Sequence, residues 1–269
     1  MKIGWITDIH LGKEGDPAIR SDLIAYLEYA CKRYDHVVIT GDLIHPMNRF
    51  KFHHRFSDIA SIIQQYGPDK IRVIPGNHDR AALLQQPSSR RANQFWDSAW
   101  GNAFPEPGYT APIETEHDRF VIGHFSVLTD MEVETRQLVA RGDGYSLSPS
   151  DLRCIEREMQ MLEEGQRLHL FTHIPLLSVT NAASGYQNVA LAHQIFAEAR
   201  ASVQVLSGHW HEHHMAKGQG FQQMVLPAFF KRQEPVGSEI ARPNAVISAE
   251  HGRVIVDYRR SFPRPKGPQ

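Results

Sequence analysis

The stretch IGWITDIHLG, residues 3–12, decides the fold, because a short apolar run ends in it at an aspartate and a histidine. Residues 3–7 are apolar and rich in β-branched side chains, which is typical of a strand buried on both faces. Asp8 and His10 follow directly, and both groups are costly to bury unless they have partners. The stretch therefore predicts a buried strand that delivers two polar groups to one edge of a sheet.

The rest of the chain alternates similar strands with helical patterns. Apolar residues recur at helical spacing in residues 19–34 and 56–63, and a further helix begins at Ser148, where Pro149 and Asp151 fit a capped first turn. This alternation predicts an α/β protein with a mixed, largely parallel sheet. The other predicted strands lie at 36–40, 71–75, 119–123, 168–172, 203–207 and 221–230, and at 244–260 with a hairpin at His251-Gly252.

Composition limits the classes of protein that the sequence can encode. The 269 residues are 41% hydrophobic with a formal net charge of -1, so a globular protein is expected, and a nucleic-acid partner is not. Cys31 and Cys154 form no CxxC pattern, and no apolar stretch has signal or membrane-spanning length, which predicts a cytoplasmic protein without a membrane partner. We expect one domain over residues 1–260, long active-site loops at 80–118 and 126–147, and a disordered tail at 261–269.

Polar residues follow five of the predicted strands. The carboxyl ends of strands form the ligand crevice in open α/β sheets, so these distant groups are expected to converge. Each piece alone is ordinary turn chemistry, and only the whole set indicates a site. The residues are Asp8 and His10, then Asp42, then Asn77, His78 and Asp79, then His173, and finally His209 and His211.

The donor types indicate a transition-metal centre. Carboxylates, an amide and imidazoles without a thiolate favour Mn(II), Fe(II/III), Zn(II) or Co(II) over calcium or an iron–sulfur cluster. Asp42 is the expected bridge between two cations about 3.5–4 Å apart. Two aspartates, two divalent cations and a bridging hydroxide leave a net positive charge that one phosphodiester would neutralise. Charge balance therefore slightly favours a diester over a monoester dianion.

In this order, the motifs D-x-H, G-D, G-N-H-[DE], H and G-H-x-H resemble the calcineurin-like metallophosphoesterase superfamily. The resemblance covers residues 8–211 and implies a four-layer αββα sandwich with two mixed sheets. It also implies that His78 is catalytic and lies beside the substrate, where it stabilises phosphoryl oxygens or protonates the leaving group. The implied ligands are Asp8, His10, Asp42 and His211 for one metal, and Asp42, Asn77, His173 and His209 for the other.

One position departs from the family pattern. Many members have an aspartate three residues after the bridging carboxylate, where it orients the catalytic histidine, but this chain has His45 there. Asp79, next to His78 in sequence, is therefore the second candidate catalytic residue. The THIP segment at 172–175 and the capped helix before it are similar to the class III cyclic-nucleotide phosphodiesterase branch.

The sequence thus predicts a dinuclear metal-dependent phosphodiesterase in which a metal-bridging hydroxide attacks a small soluble ester, such as a nucleotide or cyclic nucleotide. Substrate contacts are expected from Asn77, His78, His124 and His213. A phosphomonoesterase on the same metals, a non-catalytic binding scaffold and a DNA nuclease stay open as alternatives, as do the physiological substrate and the oligomeric state.

Overall fold

A computed structural model gives the fold over most of the chain. Residues 49–56 are described by their helical backbone alone. The described residues are 1–13, 17–45, 49–67, 69–79, 112–123, 125, 145–178, 185–186, 189–199, 201–231, 239–250 and 253–264.

Strands and helices alternate through the first two thirds of the chain, as the sequence predicts. The helices are α1 (Ile19–Arg33), α2 (Arg49–Gln64), α3 (Pro149–Gln160) and α4 (Ala190–Glu198). The strands are β1 (Lys2–Ile6), β2 (His36–Thr40), β3 (Ile71–Ile74), β4 (Ile113–Glu114), β5 (Asp118–Ile122), β6 (Arg167–Thr172), β7 (Val203–Ser207), β8 (His214–Lys217), β9 (Phe221–Val225), β10 (Glu239–Ile240), β11 (Asn244–Glu250), β12 (Arg253–Arg259) and β13 (Phe262–Pro263).

The strands form two large mixed sheets, so the predicted α/β class is confirmed. The first sheet has the order β12-β11-β1-β2-β3, with β1, β2 and β3 parallel. The second has the order β4-β5-β6-β7-β9-β8, with β5, β6, β7 and β9 parallel. Antiparallel strands stand at the edges of both parallel blocks. β11 and β12 form the predicted antiparallel pair, although His251-Gly252 lies outside the described residues.

Three apolar clusters hold the sheets and helices together. One joins α1 and α2 to the first sheet, and another joins α3 and α4 to the second. The third contains residues of both sheets, and in it the ring of Trp5 meets the ring of Phe171 edge-on at 5.8 Å. Burial of such side chains stabilises the fold by about 1.5–3 kcal/mol each. The four-layer order that the resemblance implies stays a prediction.

Helix α3 begins as the sequence predicts. The Ser148 hydroxyl accepts a hydrogen bond from the Asp151 amide, and the Asp151 carboxylate accepts one from the Ser148 amide. These reciprocal bonds satisfy two of the amides that a helix start leaves open.

The predicted disordered tail at 261–269 is wrong at its beginning. Phe262 is buried and stacks on Phe229 at 6.2 Å, and β13 pairs with β10. The sequence alone does not reveal the contact between Phe229 and Phe262, because these residues are more than 30 positions apart in the chain. Similarly, β4 lies inside the stretch 80–118 that was predicted to be irregular. Residues 80–111, 126–144 and 265–269 lie outside the described part of the chain.

Among the helices that the structure describes, none has both the length and the apolar composition needed to span a membrane.

Candidate metal centre

Residues that follow the strands of both sheets meet in one buried cluster. Asp8, His10 and Asp42 follow β1 and β2 of the first sheet, whereas His173, His209 and His211 follow β6 and β7 of the second. Three groups of side chains have ligand atoms within 4.8 Å of one another, and two of them consist of predicted ligands alone. Group one is Asp8, His10, Asp42 and His211, and group two is Asp42, His173 and His209. Asp42 belongs to both groups.

Group one brings imidazole nitrogens close to carboxylate oxygens. The Nε2 atoms of His10 and His211 are 3.2 Å apart, and His211 Nε2 is 3.2 Å from Asp8 Oδ1. His10 Nε2 also lies 3.4 Å from Asp42 Oδ2. Nitrogen and oxygen atoms at such mutual distances have the spacing of ligands around one cation, at bond lengths near 2.0–2.2 Å.

Group two has a similar arrangement on the other side of Asp42. His173 Nε2 lies 3.4 Å from Asp42 Oδ1. Asn77 Oδ1 is 3.0 Å from His173 Nε2 and 3.0 Å from His209 Nδ1, so the amide oxygen joins this group. The structure thus brings all seven sequence-predicted ligands together, with Asp42 between the two groups.

Backbone strain is concentrated at the same residues. Within the described part of the chain, every non-glycine residue with a positive φ belongs to these groups: Asp8 (51°), His10 (49°), Asp42 (50°), His209 (69°) and His211 (66°). Non-glycine residues in this conformation cost about 1–3 kcal/mol each and persist at sites where the surroundings enforce them. The strain therefore coincides with the candidate ligands, a pattern that is typical of functional sites.

Two glycines allow the strand ends to approach closely enough to form the cluster. A Cβ on Gly76 would lie 2.0 Å from Asp42 Oδ1, and one on Gly208 would lie 1.9 Å from Thr7 Oγ1 and 2.6 Å from Asp8 Oδ2. All three distances are far below van der Waals contact, so only glycine fits at these positions.

Among the described residues, each of the two buried carboxylates, Asp8 and Asp42, has one oxygen with hydrogen bonds and one without. Asp8 Oδ2 accepts hydrogen bonds from Thr7 Oγ1 at 2.8 Å and from the His209 amide at 2.9 Å, and Asp42 Oδ1 accepts one from the His78 amide at 2.9 Å. Asp8 Oδ1 and Asp42 Oδ2 are buried without any hydrogen-bond partner in the described structure. Because unsatisfied buried carboxylate oxygens are costly, bound metal ions fit this donor set.

Hydrogen bonding also orients one of the histidines toward the centre. His173 Nδ1 lies 2.7 Å from the Thr40 carbonyl oxygen. An imidazole that donates from Nδ1 keeps its lone pair on Nε2, the atom that faces Asp42 and Asn77. Such support by a backbone carbonyl is typical of metal-binding histidines.

Electrostatic coupling shifts the pKa values of the two carboxyl groups in opposite directions. Burial raises the pKa of Asp8, but the charges of His211, His173 and His10 together outweigh it, and the net shift is downward. Burial raises the pKa of Asp42 well above its usual value, and the negative charges of Asp8 and Asp79 raise it further. A cation between Asp8 and Asp42 would remove this like-charge repulsion.

Burial keeps several imidazoles neutral. It lowers the pKa of His10 to about 2 and that of His78 to about 3, and it also lowers the pKa values of His173 and His209. A neutral imidazole is the form that binds a metal, so the site favours metal over protons.

His78 borders the two groups at their exposed side. Its side chain is 30% exposed, its Nε2 is 3.7 Å from Asp42 Oδ2, and its ring meets that of His10 edge-on at 4.8 Å. Its Nδ1 is buried without a hydrogen-bond partner among the described residues. This position suits a group that contacts a substrate over the centre.

Asp79 does not face His78, which contradicts its predicted catalytic role. Its buried carboxylate accepts hydrogen bonds from the amides of Gly76, Leu43 and Ile44 at 2.8–3.2 Å. Burial raises its pKa to about 7, although these amide bonds oppose the shift. The carboxylate therefore ties the loop after β3 to the loop after β2. The prediction failed because Asp79 is next to His78 in sequence, but adjacency in sequence does not determine the direction of a side chain.

His45 takes part in the site in a way that the sequence did not reveal. Its Nδ1 is 3.4 Å from His10 Nδ1, and its ring stacks on that of His78 at 5.9 Å. The three imidazoles also lie within metal-ligand distance of one another. His45 thus contacts a candidate ligand, His10, as well as the candidate catalytic residue.

Of the two remaining predicted substrate contacts, the structure describes only His213. His213 is exposed and stacks on Tyr258 at 4.9 Å, away from both groups, because it begins the turn into an edge strand. His124 lies outside the described residues.

Two aromatic residues that the sequence analysis missed do border the site. Phe230 contacts the rings of His10 and His211 edge-on at 5.1 Å, and Tyr145 contacts His209 edge-on at 5.2 Å. Phe230 is the last residue of the predicted strand 221–230, but the observed strand β9 ends at Val225, so Phe230 lies in the segment that follows it.

Comparison with protein families gives one extensive match. The family model for calcineurin-like phosphoesterases matches residues 1–213, which include all seven candidate ligands. No curated protein matches the chain by sequence.

Solved structures with the same fold are distant in sequence. A dimetal phosphatase from Danio rerio is 15% identical, with 97% of this chain and 96% of that chain covered and a TM-score of 0.65. Phosphopantetheinyl hydrolase from Mycobacterium tuberculosis is 18% identical, with 84% and 89% covered and a TM-score of 0.51. GAP50, described as the anchor in the inner membrane complex of Plasmodium, is 10% identical, with 99% and 90% covered and a TM-score of 0.52. At these identities the similarity is one of fold.

Proposed function

The chain belongs to the calcineurin-like phosphoesterase family, and from this premise we propose that it is a dinuclear metal-dependent phosphodiesterase that hydrolyses a small ester such as a nucleotide or cyclic nucleotide. The observation that supports the proposal most is the pair of buried oxygens, Asp8 Oδ1 and Asp42 Oδ2, that no hydrogen bond satisfies. They stand beside neutral imidazoles, on a backbone that is strained at the same residues.

Two divalent metals complete the site in this proposal. Asp8, His10, Asp42 and His211 hold one, and Asp42, Asn77, His173 and His209 hold the other. When bound, such a pair lowers the pKa of water and stabilises negative charge on phosphoryl oxygens. The nitrogen and oxygen donors favour Mn(II), Fe(II/III), Zn(II) or Co(II).

Charge balance favours a diester. Asp8 and Asp42 supply the carboxylates of the two groups, while the Asp79 carboxylate is enclosed by backbone amides. Two divalent cations therefore exceed the ligand charge by roughly two units, and a hydroxide nucleophile together with one diester anion would neutralise that excess. A monoester dianion leaves one negative charge over.

His78 is the residue to which we assign contact with the reacting phosphoryl group. Its lowered pKa keeps the ring neutral, and a neutral ring still carries one N–H. That N–H donates to a phosphoryl oxygen or to the oxygen of the leaving group. To act as the acid, the ring would first take up a proton from solvent, which the negative charge of the bound ester favours, and would then pass that proton to the departing alkoxide. Asn77, adjacent to His78, is a further proposed substrate contact.

The expected substrate is a small ester, and we also propose a cytoplasmic location for the protein. The location is supported by Cys31 and Cys154, which lie in α1 and α3 as thiols rather than as a disulfide.

Hydrolysis of two chromogenic esters tests the proposal. The EDTA-treated protein is reloaded with Mn(II) and assayed with bis-p-nitrophenyl phosphate and with p-nitrophenyl phosphate, beside Asp8→Asn as a control that removes a ligand charge. We expect kcat/KM to be at least tenfold higher for the diester and to fall strongly in the variant. A reversed preference would indicate a phosphomonoesterase. If neither ester is hydrolysed, the protein has a binding role instead of a catalytic one. Among the solved structures with this fold, GAP50 of Plasmodium is described as an anchor.

A further inference from the structure

Phe230 carries a lysine on its ring at the edge of the metal centre. Lys13 Nζ lies 3.4 Å from the centroid of the Phe230 ring, and the same ring contacts His10 and His211. A cation over an aromatic face is attracted by the ring quadrupole, which holds the ammonium beside the candidate ligands.

Hydrogen bonds of the backbone hold Phe230 and Lys13 in place. The Phe230 amide donates to the Asp8 carbonyl oxygen at 3.3 Å, and the buried Arg242 donates from Nη1 to the Phe230 carbonyl oxygen at 2.7 Å. Arg242 in turn forms an ion pair with Asp22 at 2.8 Å. The Lys13 amide donates to the His10 carbonyl oxygen at 2.9 Å. Both the ring and the lysine backbone therefore have defined positions relative to the centre.

The Lys13 ammonium has unused hydrogen-bonding capacity. It can donate three hydrogen bonds, yet in the part of the chain that the structure describes its assigned contact is the aromatic face. Lys231 follows Phe230 directly and forms an exposed ion pair with Glu212, next to His211. Such exposed pairs are weak and exchange readily with other anions.

Lys231 and Asp8 both influence the charge of the Lys13 ammonium group. Burial lowers the pKa of Lys13, the positive charge of Lys231 lowers it further, and the Asp8 carboxylate raises it. Lys13 lies over the Phe230 ring and Lys231 is the residue after Phe230, so both cations belong to the same edge of the centre.

We infer that Lys13 and Lys231 form an anion subsite that binds a second negatively charged group of the substrate, beside the phosphoester that is hydrolysed. This inference rests on the proposed function and narrows it to esters whose non-reacting part carries an oxyanion. A phosphate and a carboxylate share that chemistry, and the experiment below separates them. Lys13 is the principal residue, because Lys231 already has Glu212 as a partner.

Matched substrates measure the contribution of the second anion. Thymidine 5′-(p-nitrophenyl phosphate) and its 3′-phosphorylated form share the reacting phosphorus and the leaving group but differ by one phosphate. p-Nitrophenyl butyl phosphate and p-nitrophenyl 3-carboxypropyl phosphate form the corresponding carboxylate pair. With Mn(II)-loaded protein, the ester with the extra anion is expected to have a kcat/KM about tenfold higher, mainly through KM, as one charge-assisted contact at a partly exposed site provides.

Variants separate the subsite from the catalytic centre. Lys13→Gln is expected to abolish the tenfold preference and to leave hydrolysis of the ester without the extra anion within about twofold of the original protein, while Lys13→Arg retains the preference. Lys2→Gln is the matched control, since Lys2 is exposed at the opposite end of β1. Glu212→Gln releases Lys231 and should increase the preference. Calorimetric binding of thymidine 3′,5′-bisphosphate and of thymidine 5′-phosphate gives a readout that is independent of turnover.

The outcomes distinguish this inference from the function on which it rests. Equal hydrolysis of both members of each pair, unchanged in Lys13→Gln, would overturn the anion subsite while the phosphodiesterase stands. A preference in only one pair identifies that anion as the one that binds. Hydrolysis of none of the four esters would overturn the proposed function together with the subsite.

Discussion

The Asp42→Asn variant is expected to be more stable than the original protein without metal and less stable with metal. Asp42 is fully buried, its Oδ2 has no hydrogen-bond partner in the described structure, and the Asp8 carboxylate lies in the same group. Asparagine has the same shape and keeps an oxygen for the His78 amide. Because burial raises the pKa of Asp42, this carboxyl costs the fold either an unsatisfied charge or the uptake of a proton, and asparagine removes that cost of roughly 1–3 kcal/mol. For a chain of this length, Tm in EDTA should rise by roughly 2–10 °C.

Metal reverses the sign of this effect. A ligand at 100 times its Kd stabilises a protein by about 2.7 kcal/mol, so two metals should raise the Tm of the original protein by roughly 10–20 °C. Asp42→Asn removes the charge that both groups share and should lose more than half of that increase. Thermal unfolding with EDTA and with excess Mn(II) measures both effects.

Asp118→Asn is the control for this experiment. Asp118 is also a buried carboxylate, but it is 2.7 Å from Arg167 and 2.9 Å from His169, and it pairs with the start of β6, whereas the ligand His173 follows the end of that strand. Its loss should lower Tm equally with and without metal. If Asp42→Asn behaved in the same way, Asp42 would be a structural hydrogen-bond acceptor and the metal-centre reasoning would be refuted.

Four further changes test separate parts of the site. His78→Ala should leave two metals bound, as elemental analysis would show, and lower kcat by about 10²- to 10⁴-fold, and loss of metal would contradict its role. Gly208→Ala places a methyl group 1.9 Å from Thr7 Oγ1, so it should lower Tm by several degrees and weaken metal retention, whereas normal metal content would contradict the close packing. His45→Ala should lower metal affinity by about 10- to 100-fold in titrations, because it removes the partner of His10 Nδ1, and unchanged affinity would exclude this role. Between pH 7.5 and 5.5 the metal-free original protein should lose roughly 1–1.5 kcal/mol more stability than metal-free His78→Ala, because burial lowers the pKa of folded His78 to about 3. The raised pKa of Asp79 acts in the opposite direction, but it is common to both proteins and cancels in the comparison. An equal pH dependence of the two proteins in urea titrations would contradict the shift of His78.

The sequence predicted the elements that carry the site, because strands buried on both faces have a distinctive apolar run. β1, β2 and β7 lie within one residue of their predicted bounds, and a polar residue follows each at the crevice. The short strands β4, β10 and β13 were not predicted, since strands of two residues leave no period to detect.

The candidate ligands were predictable from motif order, but their surroundings were not. Whether Asp79 turns toward His78 or toward the amides of the neighbouring loop depends on contacts between separate loops, which no local pattern encodes. The same holds for Lys13 and Phe230, which are more than 200 positions apart and meet only in the folded chain. The directions of the side chains around the centre depend on tertiary contacts, whereas the ends of the strands follow from the local sequence.

Anomalous diffraction from crystals loaded with Mn(II) tests the central claim most directly. Two peaks are expected about 3.5–4 Å apart, on either side of Asp42. One should lie within bonding distance of Asp8, His10 and His211, and the other within bonding distance of Asn77, His173 and His209. A single peak, or peaks that leave Asp42 unliganded, would contradict it.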